Sequence, residues 1–130
     1  MIVVDASAVA EVLLQMPAAA AVASHLFAAG QSLHAPHLVD VEVAHVIRRY
    51  VARKDIDEDR GRSAIQDLVD LPIRRYPHGV LLVRTWALRN NLSAYDAIYV
   101  ALAEALDVPL LTCDQHLASA AQRFTRIRLI

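Results

Sequence analysis

The segment 91–121, NLSAYDAIYVALAEALDVPLLTCDQHLASAA, constrains the fold more than any other part of the chain, because it reads as helix, strand, helix in one short span. Ser93 can cap a helix whose apolar positions Ile98, Tyr99, Leu102 and Leu106 recur at helical spacing, and Asp107-Val108-Pro109 ends it. Leu110-Leu111-Thr112 is too short for a helix and reads as a buried parallel strand. Each side of this unit carries one acid: Asp96 in the first helical turn and Asp114 directly after the strand. The chain opens with the same grammar. Ile2-Val3-Val4 is a short apolar strand that runs straight into Asp5, and 6–15 reads as a helix with Val9, Val12 and Leu13 on one side.

Between these units the alternation continues. Pro17 breaks the first helix, 18–29 reads as a second ended by Gly30, and 32–35 as a strand before Pro36. A long helix is predicted over 37–54, with Leu38, Val41, Val46 and Tyr50 as its apolar positions, Glu42 among them, and Arg48, Arg49 and Arg53 towards its end. A charged helix over 55–70 follows, with Ile65, Leu68 and Val69 as its apolar stripe and Leu71-Pro72 as its stop. Residues 73–76 read as a strand, 78–90 as a helix and 126–130 as a closing strand. Strands separated by helices of about ten residues or more predict an α/β protein, with a central parallel sheet covered by helices on both faces. No repeat or linker divides the chain, so 1–130 is expected to be one domain. In such folds ligands bind beyond the carboxyl ends of the strands, where strand order reverses, and that is the edge at which Asp5 and Asp114 stand.

Composition narrows the function classes. Hydrophobic residues make up 56% of a 130-residue chain, which leads us to expect an apolar surface covered by a second subunit or a partner. The lone Cys113 excludes an intramolecular disulfide. There is no basic segment followed by an apolar one at the start, and no apolar run approaches the roughly 18 residues of a membrane span, so the expected location is the cytoplasm. Thirteen basic against fourteen acidic residues leave a formal charge of −1, so any nucleic-acid binding needs a local basic patch. All the basic residues but Lys54 are arginine, which suits bidentate phosphate contacts.

Asp5, Glu42, Asp96 and Asp114 come from four separate elements, and each lies in or beside an apolar run. Two unit charges about 4 Å apart repel by about 4 kcal/mol at an effective dielectric near 20. A cluster of four therefore needs a cation, and no lysine lies near any of them. A hard divalent ion, Mg²⁺ or Mn²⁺, takes oxygen ligands while keeping several waters. It would activate a water and neutralise charge on a phosphodiester undergoing hydrolysis. Each acid also has a structural explanation. Asp5 and Asp114 could cap the helices that follow them, Asp114 through Ser119; Ser93 and Asp96 fit a capping box; and Glu42 could pair with His45 or Arg49. Capping, however, gives no reason for two strands and two helices to deliver acids to one edge. Asp40 should face away from Glu42, and Glu11 is expected to be solvated. Ser7 and Thr112 could orient the carboxylates or satisfy backbone at the strand ends. Cys113 with His116 lacks an orienting third group and reads as a half-buried thiol.

At these residues the chain resembles the PIN-domain ribonucleases, specifically the toxins of VapBC-type toxin–antitoxin pairs. The resemblance spans the whole chain and rests on Val4-Asp5-Ala6-Ser7-Ala8, on Glu42 within 37–43, on Tyr95-Asp96-Ala97-Ile98-Tyr99-Val100-Ala101-Leu102-Ala103, and on Leu110-Leu111-Thr112-Cys113-Asp114. It implies a three-layer α/β/α fold, a homodimer, and Mg²⁺ or Mn²⁺ held by Asp5, Asp96 and Asp114, with Glu42 completing an acidic quartet. It also implies endoribonuclease activity on RNA and a cognate antitoxin that inserts a peptide, often with an arginine, into the acidic groove. Many relatives carry a further acid just past the position of Asp114, where Gln115, His116 and Leu117 stand here, a departure that bears on a second tightly held metal. Two other classes compete. A phosphoaspartyl receiver or phosphatase needs a lysine near its aspartate, and Lys54 lies at the far end of an arginine-rich helix. A catalytically silent PIN-like binding module would have no use for four clustered acids.

Overall fold

The computed structural model describes residues 1–130. Five strands, β1 (Ile2–Val4), β2 (Leu33–Pro36), β3 (Ile73–Tyr76), β4 (Leu110–Thr112) and β5 (Ile127–Leu129), form one sheet in the order β3-β2-β1-β4-β5. Every pairing is parallel. The central strands β1 and β4 are wholly buried, as their unbroken apolar runs require of strands covered on both faces. Seven α-helices cover the sheet: α1 (Ala6–Leu13), α2 (Ala19–Leu26), α3 (Leu38–Ala52), α4 (Glu58–Asp70), α5 (Leu82–Ala87), α6 (Ala94–Leu106) and α7 (Gln115–Ala121). α1 packs against α2, α3 and α4; on the other side α5 packs on α6, which lies across β1, β2 and β4, while α7 covers β4 and β5. The result is the expected three-layer α/β/α architecture. No helix is long and apolar enough to cross a membrane.

The chain runs outward from β1 through β2 to β3, then returns to place β4 on the free side of β1. Strand order reverses between β1 and β4, and the crevice beyond their carboxyl ends is the natural ligand position. Their register pairs Val3 with Leu110 and Val4 with Leu111, and the Asp5 N–H donates to the Leu111 carbonyl at 3.2 Å. One step further along both strands come Asp5 and Thr112.

Two helices differ from expectation. α4 starts at Glu58, not at 55, because Lys54 takes a left-handed φ of 60° that ends α3, and Asp57 accepts from the Arg60 N–H at 2.7 Å as the cap. Its inward face is Gly61, Ala64 and Leu68, whereas Ile65 and Val69 are exposed. The small residues face α3 because the helices approach closely: a Cβ on Gly61 would stand 2.7 Å from Val51 Cγ2. An apolar stripe judged by side-chain size misses such a seam. The segment predicted as a helix over 78–90 is a 3₁₀ turn, Gly79–Leu81, followed by the short α5. It buries Leu81, Thr85 and Leu88 and leaves Val80, Leu82, Val83 and Trp86 exposed.

Glu11, expected to be solvated, is buried. Its carboxylate accepts from the Ala18 N–H at 2.6 Å, because the elbow at Pro17 folds the start of α2 back over α1. Asp40 does face away from Glu42, pairing with Arg75 through Nε at 2.8 Å.

Candidate active site

Asp5 leaves β1 in extended conformation and caps α1, accepting from the Ala8 N–H at 3.0 Å. Capping is only part of its role. The Ser7 hydroxyl reaches both carboxylate oxygens, at 2.7 and 2.9 Å, and the Thr112 hydroxyl donates to Oδ2 at 2.7 Å. Each hydroxyl also accepts a backbone N–H at 2.9 Å, Ser7 from Cys113 across the strand ends and Thr112 from Asp114 within its own segment. Ser7 and Thr112 thus do both things the sequence allowed, tying β1 to β4 and fixing the Asp5 carboxylate. With 4% of its surface exposed, Asp5 is pushed by burial to a pKa of about 6, against the pull of these hydrogen bonds and with a further push from the Asp114 charge.

The other three acids close the crevice from α3, α6 and α7. Ser93 caps α6 by accepting the Asp96 N–H at 3.2 Å, and no reciprocal bond ties up the Asp96 carboxylate. Its pKa is raised by burial and by Asp114, partly countered by His116 and Ser93. Glu42 is held by neither His45 nor Arg49: the Tyr99 hydroxyl, reaching across from α6, donates to its Oε1 at 3.0 Å. Burial and then the charges of Asp5 and Asp96 raise the Glu42 pKa. Asp114 caps α7 through the N–H groups of His116 and Leu117, at 2.8 and 3.1 Å, instead of through Ser119. Both bonds go to Oδ1, leaving Oδ2 unbonded.

All four acids line one pocket of about 600 Å³, together with Ser7, Tyr95, Tyr99, His45 and Arg49. A shallower depression of about 780 Å³ around Asp107, Arg123 and Arg126 holds none of the four. None of the four joins the protein's ion pairs, whose acids are Asp55, Asp59, Asp40, Glu104 and Asp107. Burial first, and then their charges acting on one another, make Asp5, Glu42 and Asp96 all hold protons more tightly than usual. Unbonded oxygens on Asp96, Glu42 and Asp114 form an all-oxygen donor set that fits a hard divalent cation. No three His, Cys, Asp or Glu side chains stand close enough together to form a ready-made metal cage.

Tyr99 is the site residue that sequence reasoning missed. Helical periodicity makes it an apolar core position, and the signal for more is its place three residues after Asp96, on the same helix face. Of the arginines considered as phosphate contacts, Arg49 lines the pocket, whereas Arg53, Arg62, Arg75 and Arg84 are bound to acids and Arg60 to the Leu13 carbonyl. Cys113 is half-buried, with burial pushing its thiol to about 11, so it is no ready nucleophile.

Parallel β-strands between two helical layers, with acids gathered where strand order reverses, define an α/β/α protein with a carboxylate-centred site. Residues 2–122 match the family model described as PIN domain. The chain belongs to the PIN-domain family, and within it to the VapC group. It is 47% identical over 129 residues to a Mycobacterium tuberculosis protein named ribonuclease VapC1, covering 98% of this chain and 96% of that one. Ribonuclease VapC12 of the same species is 43% identical over 130 residues, covering 100% and 99%. Among solved structures, M. tuberculosis VapC20, described as a sarcin–ricin-loop-cleaving toxin, superposes with a TM-score of 0.72 at 16% identity, covering 98% and 99%. Rickettsia felis VapBC2 bound to a promoter DNA fragment gives 0.72 at 12% identity, covering 100% and 99%. These two likenesses are of fold.

Proposed function

We propose that this protein is a divalent-metal-dependent endoribonuclease, the toxic member of a type II toxin–antitoxin pair, acting on RNA in the cytoplasm. One observation carries the reading: four carboxylates from four elements converge without a single ion-pair partner at the point where strand order reverses. The high identity to proteins named ribonuclease VapC supports the choice of RNA and of the toxin role. Asp96, with both oxygens unbonded, and Asp114, with one, would hold Mg²⁺ or Mn²⁺ together with Asp5, while Glu42 completes the site or bridges to it through water. The ion supplies Lewis acidity for activating a water and offsetting phosphodiester charge.

The remaining work falls to the protein's own groups. Ser7, Thr112 and the Ala8 N–H hold the Asp5 carboxylate in one orientation, and Tyr99 does the same for Glu42. Burial raises the proton affinities of Asp5, Glu42 and Asp96, and a bound cation would lower them again. A cognate antitoxin would silence the enzyme by placing a cationic group in this pocket, and the exposed Val80, Val83 and Trp86 around α5 would supply the surface of a homodimer.

The test is cleavage of total cellular RNA by purified protein with Mg²⁺ or Mn²⁺, against chelator and against Asp96→Asn prepared identically. Discrete metal-dependent fragments that vanish in the variant support the reading. Wild-type turnover by Asp96→Asn refutes the assignment, and no cleavage by folded, metal-loaded protein moves the weight to a silent binding module.

A further inference from the structure

The acid-lined pocket has apolar walls that its carboxylates leave unexplained. Tyr95 stands one residue before Asp96 in the first turn of α6 and lines the pocket with 65% of its surface exposed. Of the four tyrosines, Tyr50, Tyr76 and Tyr99 each make a side-chain hydrogen bond, and Tyr95 makes none. Val41 of α3, 68% exposed, lines the same pocket from the other helical layer. Oxygen donors are all that a divalent ion requires, so an exposed ring beside them points to something flat and organic. Further along the α3 face that carries Glu42 come His45 and Arg49, both exposed and both lining the pocket. Arg49 takes part in no ion pair. Seven residues of helix put its Cα roughly 10 Å from that of Glu42. The pocket therefore combines an acidic centre, an exposed aromatic ring and an uncommitted cation.

We infer that Tyr95 stacks on an unpaired base beside the bond to be cut and so sets which phosphodiester enters the acidic centre, while Arg49 holds a flanking phosphate and adds affinity. The inference rests on the ribonuclease reading and adds the form of the substrate. A base reaches the face of Tyr95 only when it is out of a duplex, so the strand is taken unpaired, in a loop or a single-stranded run. Tyr95 and Arg49 position the strand and take no part in proton transfer.

The experiment compares wild type with Tyr95→Ala, Tyr95→Leu, Tyr95→Phe and Arg49→Gln, each first checked for a native melting transition. Cut ends are mapped on total RNA with Mg²⁺ or Mn²⁺, and rates are then measured on an unpaired oligonucleotide spanning the preferred site. Tyr95→Ala and Tyr95→Leu are expected to lower kcat/KM by about 10- to 100-fold, chiefly through KM. Tyr95→Phe, which keeps the ring, should stay within about threefold of wild type. Pairing the oligonucleotide with its complement should suppress cleavage. Arg49→Gln should leave the cut position unchanged and reduce the slope of log affinity against log salt by about one. A fluorescent base analogue beside the bond should be quenched on binding Asp96→Asn, and should not be on binding the same protein carrying Tyr95→Ala. Cleavage by Tyr95→Ala within about twofold of an active wild type, or equal effects of Leu and Phe, overturns the stacking inference and leaves the nuclease standing. A wild type that cleaves no RNA removes the nuclease reading, and this inference with it.

Discussion

Asp5→Asn should stabilise the metal-free protein at neutral pH while removing its activity. The carboxyl is buried and its pKa stands at about 6, against an ordinary 3.8. A folded-state pKa above the unfolded value means that the native protein binds the extra proton between those limits. The stability this group contributes is thus fully present below pH 3.8 and is lost as pH rises through about 6. Two pKa units at about 1.4 kcal/mol each amount to about 3 kcal/mol across the window, of which about 2 kcal/mol is lost between pH 4.5 and 7.5. Asparagine cannot ionise, so it escapes this loss, but it replaces charge-assisted bonds from Ser7, Thr112 and Ala8 with weaker neutral ones. The absolute gain at pH 7.5 is accordingly smaller, on the order of 1 kcal/mol, or about 4 °C in a chain of this length. The assay is urea unfolding of both proteins in chelator across this range. The stability difference, variant minus wild type, should rise by about 2 kcal/mol from pH 4.5 to 7.5. Mg²⁺ at about 100 times its dissociation constant should then stabilise wild type by about 2.7 kcal/mol and the variant much less. A difference that stays flat with pH, or equal stabilisation of both proteins by Mg²⁺, would refute the claim that Asp5 is held under electrostatic strain in a cation site.

Other perturbations probe other parts of the argument. Asp96→Asn should reduce RNA cleavage by at least about 100-fold with a melting transition no lower than that of wild type, since its carboxylate makes no hydrogen bond to lose and burial already disfavours its charge; steady-state rates on a mapped substrate measure this. Tyr99→Phe frees Glu42 from its only side-chain partner and should cost about 1 kcal/mol in denaturant unfolding, with a fall in kcat that Mn²⁺ does not restore. Gly61→Leu forces a side chain into the place where even a Cβ lies 2.7 Å from Val51, and should destabilise by about 1–3 kcal/mol; an unchanged unfolding midpoint would show that α3 and α4 are not tightly packed there. Val83→Glu on the exposed α5 face should convert a dimer to monomer in sedimentation without changing the far-ultraviolet spectrum, and a wild type that sediments as a monomer removes the dimer outright.

Much of the architecture was present in the chain as local pattern. Ile2-Val3-Val4 and Leu110-Leu111-Thr112 are too short and too apolar for anything but buried parallel strands, and the structure makes them β1 and β4. Acids that directly follow such strands must lie at the carboxyl edge, so Asp5 and Asp114 were legible as a pair. That Ser93 would cap α6 also followed from local chemistry.

What needed the tertiary structure were facts that depend on which elements meet. Asp5 and Asp114 approach only because β1 and β4 are neighbours, which strand order decides and sequence spacing does not. Glu42 had basic neighbours on its own helix, yet its partner is Tyr99, 57 residues away on the opposite layer. Glu11 carries a charge and looked like a surface residue until the elbow at Pro17 closed over it. The seam of α4 runs through Gly61 and Ala64 because its distance from α3 leaves no room for larger groups, whereas hydrophobicity alone had favoured Ile65 and Val69. Local periodicity determines where helices and strands form, since backbone geometry repeats over a few residues. Which side chains share a pocket is a property of contacts between distant segments, and no short-range pattern encodes it.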